Sequence, residues 1–315
     1  MPTYTVSLPR SKPLTLDDYV IVDPTYNHAV GGGRPVQYFE ELFQVHEDLW
    51  LGAIDSDLCD AIMNACEPRG ENFVPERSTG RCYAFVRKDP PFVFGRYELD
   101  FDRDTKLRHF VARSRVLHPT AADCCFAASV ATFEDGSRQI CPRGLEIEGH
   151  AYVLDQDRNW LLPGDVSELR ALIQVPNSIL PGRIISGLWF LEAVFNQYFI
   201  DIRLPMVATG IEAIVKIKDE KGGGSKQNFV RRLLAIGRRI PSLAMTEAEL
   251  SAMYERRSDL VHGMGTFEEF TDGAERDLYR KQEGLFRGIL RAAILDEGFR
   301  EAFRTDQSLA EAFPL

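Results

Sequence analysis

The stretch Leu250-Ser-Ala-Met-Tyr-Glu-Arg-Arg-Ser-Asp-Leu-Val-His-Gly263 gathers the residues best suited to chemistry. Leu250, Met253, Tyr254, Arg257 and Val261 recur at steps of three or four, so Arg257 follows an apolar stripe instead of facing bulk water. Arginine is rarely buried without a partner or a task. His262 ends the same helix, where unpaired carbonyls and the negative end of the macrodipole favour imidazolium, and Asp259 three residues earlier reinforces that. A fixed cation together with a ring that titrates near neutrality is material for stabilising negative charge and moving protons. The same pair also fits a purely structural role, as a helix-stabilising arginine and a capping histidine.

The elements that must hold these residues can be read outward from them. Thr246 with Glu249 forms a capping box that starts the helix. Gly263 sits where a left-handed residue ends it. Helix periodicity covers roughly residues 183–199, 202–218, 227–240, 246–262 and 273–303, with 218–226 a flexible glycine-rich connector. Strand signals stop at the proline-rich breaks around Pro163-Gly164 and Pro176 to Pro181. Before those breaks, strands are expected at 19–22, 82–86, 92–94 and 150–154, and helices at 56–65 and 105–117. The expectation is an α+β protein, with a mixed α/β domain over residues 1–180 and an all-α bundle over 183–315.

The string Tyr254-x-x-Arg257-Ser258-Asp259-Leu260-Val261-His262-Gly263 resembles the R-x4-6-H motif of HEPN domains, and most closely the Apea-like branch. Val207-Ala-Thr-Gly-Ile-Glu212-Ala-Ile-Val resembles that branch's first core helix, which carries a Glu, and Phe229-Val-Arg231-Arg232-Leu-Leu resembles the helix between. Ser258 departs from the Asn, Asp or His that many active members carry after the arginine. The resemblance spans about residues 183–303. It implies a metal-independent endoribonuclease, needing no cofactor, built as a homodimer through the HEPN domain. RNA supplies the 2′-hydroxyl nucleophile, Arg257 the cationic fork for phosphate oxygens, and His262 the proton transfer, leaving a 2′,3′-cyclic phosphate. Arg257 and His262 are five residues apart, about 140° around an ideal helix, which a cleft between two copies accommodates. Family analogy further implies a phage-defence or toxin effector, with the N-terminal domain as a sensor or regulatory module for a ligand or partner. The alternative is a non-catalytic HEPN module for dimerisation or for binding a nucleotide or partner.

Supporting roles fall to Glu212, which can orient Arg257 or stand as an ordinary surface carboxylate, and to Ser258 and Asp259 on the motif itself. Lys226, Arg231 and Arg232, with Arg238 and Arg239, make the third of these helices basic, an RNA-backbone footprint or a solvated charged face.

The bulk numbers bound the rest. The 315 residues carry a net charge of −10, which argues against general phosphate binding, but residues 183–315 hold 19 basic against 20 acidic side chains, so a compact RNA site there is not excluded. The apolar stretch 184–200 is interrupted by Glu192, Asn196 and Gln197, which makes it a buried helix and not a membrane span. With no basic and apolar leader at Met1, the expectation is a cytoplasmic protein. Six cysteines without C-x-x-C or zinc spacing read as reduced thiols, with no metal site. The glycines at 31–33 lack the Lys-Ser/Thr of a phosphate loop. Asp100 to Thr105 lacks the glycine and late Glu of a calcium loop. The segment 107–119, with two histidines and three arginines, reads as a polar helix face.

Overall fold

A computed structural model of the chain describes residues 13–23, 43–46, 49–66, 81–88, 101–120, 123–143, 163–197, 200–218, 220, 223–263 and 273–315. The strands expected at 92–94 and 150–154 and the glycine loop at 31–33 lie outside these residues. The fold class is α+β. Two compact units divide the chain: Met1–Val111, Thr120–Ala151 and Gln156–Arg170 form the first, and Ala112–Pro119, Tyr152–Asp155 and Ala171–Leu315 the second.

The first unit is organised by an antiparallel sheet. Its strands are β1 (Thr15–Asp23), β2 (Phe43–His46), β3 (Leu49–Asp55), β4 (Arg81–Lys88), β5 (Asp123–Thr132) and β6 (Arg138–Arg143), in the order β2-β3-β4-β1-β5-β6. Between β3 and β4 runs α1 (Ser56–Cys66), whose start is fixed by the Leu58 N–H donating to Asp55 Oδ1 at 2.8 Å. Leu58, Cys59, Ile62 and Met63 of α1 bury against Ile21, Ile54, Ala84, Val86, Ala128 and Val130, the inward set of alternating strands. Phe85, between Ala84 and Val86, points to the opposite face and meets Phe110 edge-to-face at 4.4 Å. Phe110 lies on α2 (Phe101–Leu117). The β5–β6 hairpin turns at Gly136, whose φ of +79° suits a residue without Cβ. Cys59 is disulfide-bonded, which corrects the expectation that all six cysteines are reduced thiols; its partner lies outside the described side chains.

The second unit is helical: α4 (Gly182–Phe195), α5 (Ile200–Val215), α6 (Ser225–Arg239), α7 (Glu247–Val261), α8 (Gly273–Leu295), α9 (Glu297–Glu301) and α10 (Asp306–Ala312). These follow α3 (Val166–Gln174), which spacing did not reveal. Small residues let α4, α5 and α8 approach closely. A Cβ on Gly187 of α4 would lie 2.7 Å from Ile214 Cδ1 of α5, and one on Gly210 of α5 would lie 2.6 Å from Phe286 Cζ of α8. The continuous helix expected over 273–303 breaks instead at Asp296, whose carboxylate accepts the Phe299 N–H at 2.9 Å and so starts α9. Phe299, Phe303 and Phe313 then cluster with ring centroids 5.1 to 5.7 Å apart, and Arg239 lies over two of them.

Of the polar helix face expected over 107–119, the described polar side chains from Arg113 on are not solvated. Arg113, Ser114, Arg115 and His118 are all buried. Arg113 Nη2 donates to Val175 O at 3.2 Å and to Asn177 Oδ1 at 3.0 Å, and burial lowers its pKa to about 10. Arg115 pairs with Glu192, whose pKa burial raises and Arg115 lowers again. These polar groups hold the end of α2 within the helical unit and are not an open anion site. No described helix is long and apolar enough to cross a membrane.

Candidate functional site

Helix α7 is defined at both ends by backbone chemistry. At its start Thr246 Oγ1 accepts the Glu249 N–H at 3.2 Å while Glu249 Oε2 accepts the Thr246 N–H at 2.9 Å, the expected capping box. Glu249 also meets Lys281 of α8 at 2.5 Å. Lys281 first, then the Thr246 backbone and hydroxyl, pull the Glu249 carboxyl down to about 2. At its end His262 is the C-cap, its N–H bonded to Ser258 O at 3.0 Å. Gly263 takes φ +69° and returns its N–H to Leu260 O at 3.2 Å. The helix therefore stops where sequence reasoning places its stop.

Only Leu250 and Met253 of α7 are fully buried. Further along, the helix emerges, and its last turn carries the candidate pair at the surface. Val261 is 57% exposed and His262 is exposed beside it. Ser258 and Asp259 are half-buried on the same turn. The Arg257 side chain is 24% exposed and its Nη2 lies 3.1 Å from Glu212 Oε2 on α5. Glu212 is thus not an ordinary surface carboxylate. Its second oxygen takes Lys216 Nζ at 3.1 Å, one helical turn further along. One carboxylate between two cations leaves this group with a net charge of +1.

Two contacts here were not anticipated. Tyr254 places its ring 5.8 Å from the Arg257 guanidinium carbon, and Phe229 of α6 packs against that ring at 5.3 Å. The spacing Tyr254-x-x-Arg257 puts the two side chains one turn apart, a signal that was available in the sequence. Lys216 carried a similar signal, at four residues from Glu212.

The proposed RNA footprint on α6 breaks up. Arg232 is only 1% exposed, with Nη1 donating to Val215 O at 2.8 Å and to Glu220 Oε2 at 3.0 Å, and Nε donating to Phe313 O at 3.3 Å. It joins α6 to the end of α5 and to the C-terminal segment, so it cannot contact RNA. The helix period turns it inward while its neighbour Arg231 stays exposed. Lys226 is held at 2.5 Å by Glu255 of α7, a surface pair of small energetic value. Arg231, Arg238 and Arg239 remain the exposed cations of this helix, Arg239 with its guanidinium over Phe299 and Phe313. Among the described residues no cluster of His, Cys, Asp and Glu is arranged to hold a metal ion.

Comparison of the chain with family models, curated proteins and solved structures yields no match.

Two outcomes are expected. Arg232→Ala, which strands Glu220 and two carbonyls, lowers unfolding free energy by about 3–5 kcal/mol in urea titration, whereas Arg231→Ala changes it by less than about 0.5 kcal/mol. Glu249 has a depressed folded-state pKa, so its contribution is present above 4.5, its ordinary value, and is lost as pH falls from there through about 2. Melting temperature measured against pH falls across that window in the wild type, and Glu249→Gln flattens the fall.

Proposed function

We propose that the helical unit is an endoribonuclease of HEPN type, acting without metal in a site formed by two copies of the Arg257 and His262 pair. The observation that carries this reading is the contrast at the end of α7: Arg257 is paired with a carboxylate from another helix, while His262, five residues on, stands in solvent. A structural capping histidine packed into its own subunit would look different. The arrangement suits a reaction whose nucleophile is part of the substrate. The 2′-oxygen attacks the adjacent phosphorus, the bond to the 5′-oxygen breaks, and the products are a 2′,3′-cyclic phosphate and a 5′-hydroxyl. One imidazole accepts the 2′-hydroxyl proton and a second, from the other copy, donates one to the leaving oxygen. Arg257 offers N–H donors to the phosphate oxygens as charge grows there. The exposed Val261 beside His262 gives the apolar contact that brings a second copy close. The sheet unit is then the part that controls when RNA is cut, as family analogy suggests for a phage-defence or toxin effector.

The competing reading is a non-catalytic HEPN module for dimerisation or partner binding. It is favoured by one observation, that Glu212 already occupies one nitrogen of Arg257. The two separate cleanly in vitro. Purified protein incubated with total RNA in EDTA is expected to cut it, and His262→Ala and Arg257→Ala are each expected to slow cutting by about 10²–10⁴-fold, the exposed His262→Ala with unchanged melting temperature. Equal, negligible cleavage by all three proteins selects the non-catalytic module. Cleavage that EDTA abolishes rejects the proposed chemistry.

A further inference from the structure

Glu212 reaches Arg257 at a single nitrogen, and one contact at 3.1 Å leaves a guanidinium free to swing about it. Nε of Arg257 is buried and bonds to no acceptor, so it adds no second tether. The other restraint is aromatic. Tyr254 sits one turn earlier on α7 with its ring 5.8 Å from the guanidinium carbon, inside the range of a cation–π contact. The ring is itself braced by Phe229, which is buried on α6 and inclined to it by 55° at 5.3 Å. The guanidinium is therefore held from α5 by charge and from α7 by a ring that α6 supports.

We propose that Tyr254 is a positioning residue for Arg257, fixing the guanidinium through its ring face without cancelling its charge. The inference deepens the ribonuclease reading and rests on it for its use. Its physical content lies in the charge count. Glu212 is shared between Lys216 and Arg257, so the three groups sum to +1. A second carboxylate in place of the ring would bring that sum to zero and remove the attraction for a phosphodiester. An aromatic face restrains the cation through its quadrupole and leaves the +1 available to the ligand. Tyr254 is also half-buried on the apolar stripe of α7, so any test has to separate positioning from mere packing.

Nitrogen-edited proton NMR of the full chain gives that separation at the Arg257 Nε–H. In the wild type this proton is expected to be shifted upfield by the ring current and slow to exchange. Tyr254→Phe, which keeps the ring, retains both properties. Tyr254→Leu loses the upfield shift and exchanges about tenfold faster, the factor that a contact of 1–2 kcal/mol sets. With an oligoribonucleotide substrate, Tyr254→Leu lowers kcat about tenfold while KM stays within about twofold, and Tyr254→Phe restores it. An unshifted Nε–H in the wild type overturns the proposal, and this reading needs no variant to fold. So does a Tyr254→Leu signal identical to the wild type. If the NMR signature is as stated but no protein cuts RNA, the positioning role stands and the ribonuclease reading falls.

Discussion

A guanidinium on a long side chain contributes more to recognition when its plane is fixed before the ligand arrives, because ordering it afterwards costs about 2 kcal/mol of rotamer freedom. In this chain that constraint is met between helices. Glu212 comes from α5, Arg257 and Tyr254 from α7, and Phe229 from α6. The arrangement thus depends on the packing of three helices, and α5 is in turn seated against α4 and α8 by close approaches at Gly187 and Gly210. A shift of α5 along α7 by one residue would rotate Glu212 away from Arg257. The core of the helical unit and the charge arrangement on its surface are therefore one design.

Burial sorts the chain's cations into two kinds. Arg113, Arg115, Arg203 and Arg232 are inside, each bonded to carbonyls or carboxylates that would otherwise be unsatisfied. They stitch helix ends together. Arg231 and Arg238 are exposed, and Arg257 is partly open beside Glu212. A count of basic residues along α6 does not distinguish the two kinds. The position of each around the helix does.

Much of the helical unit was legible because its signals are local. The capping box at Thr246 and Glu249 and the stop at Gly263 are set by residues within a turn of one another, whereas the expected apolar stripe of α7 is buried only at Leu250 and Met253 and ends in an exposed Val261. The sheet was less legible. In β5 the buried positions include Ala127, Ala128 and Ala131, small side chains with weak strand preference, of which Ala128 packs in the core cluster with α1. Strand β3 buries two adjacent residues, Leu51 and Gly52, so its period is blurred. At the site, Glu212 and Arg257 were nameable from sequence, but their contact is long-range, and no spacing rule predicts it. Arg232 was misjudged because its partners, Glu220, Val215 and Phe313, are brought together only by the tertiary fold.

The central claim is that the surface end of α7 acts on a ribose-phosphate linkage through the ribose's own hydroxyl. The most direct measurement uses an oligonucleotide that is cut at one mapped linkage and its twin with a single 2′-deoxy substitution just 5′ to that linkage. The account predicts that the all-ribose strand is cut there to a 2′,3′-cyclic phosphate and that the substituted strand survives at that position. Cleavage of the deoxy linkage at a comparable rate, or an all-ribose strand left whole, contradicts it.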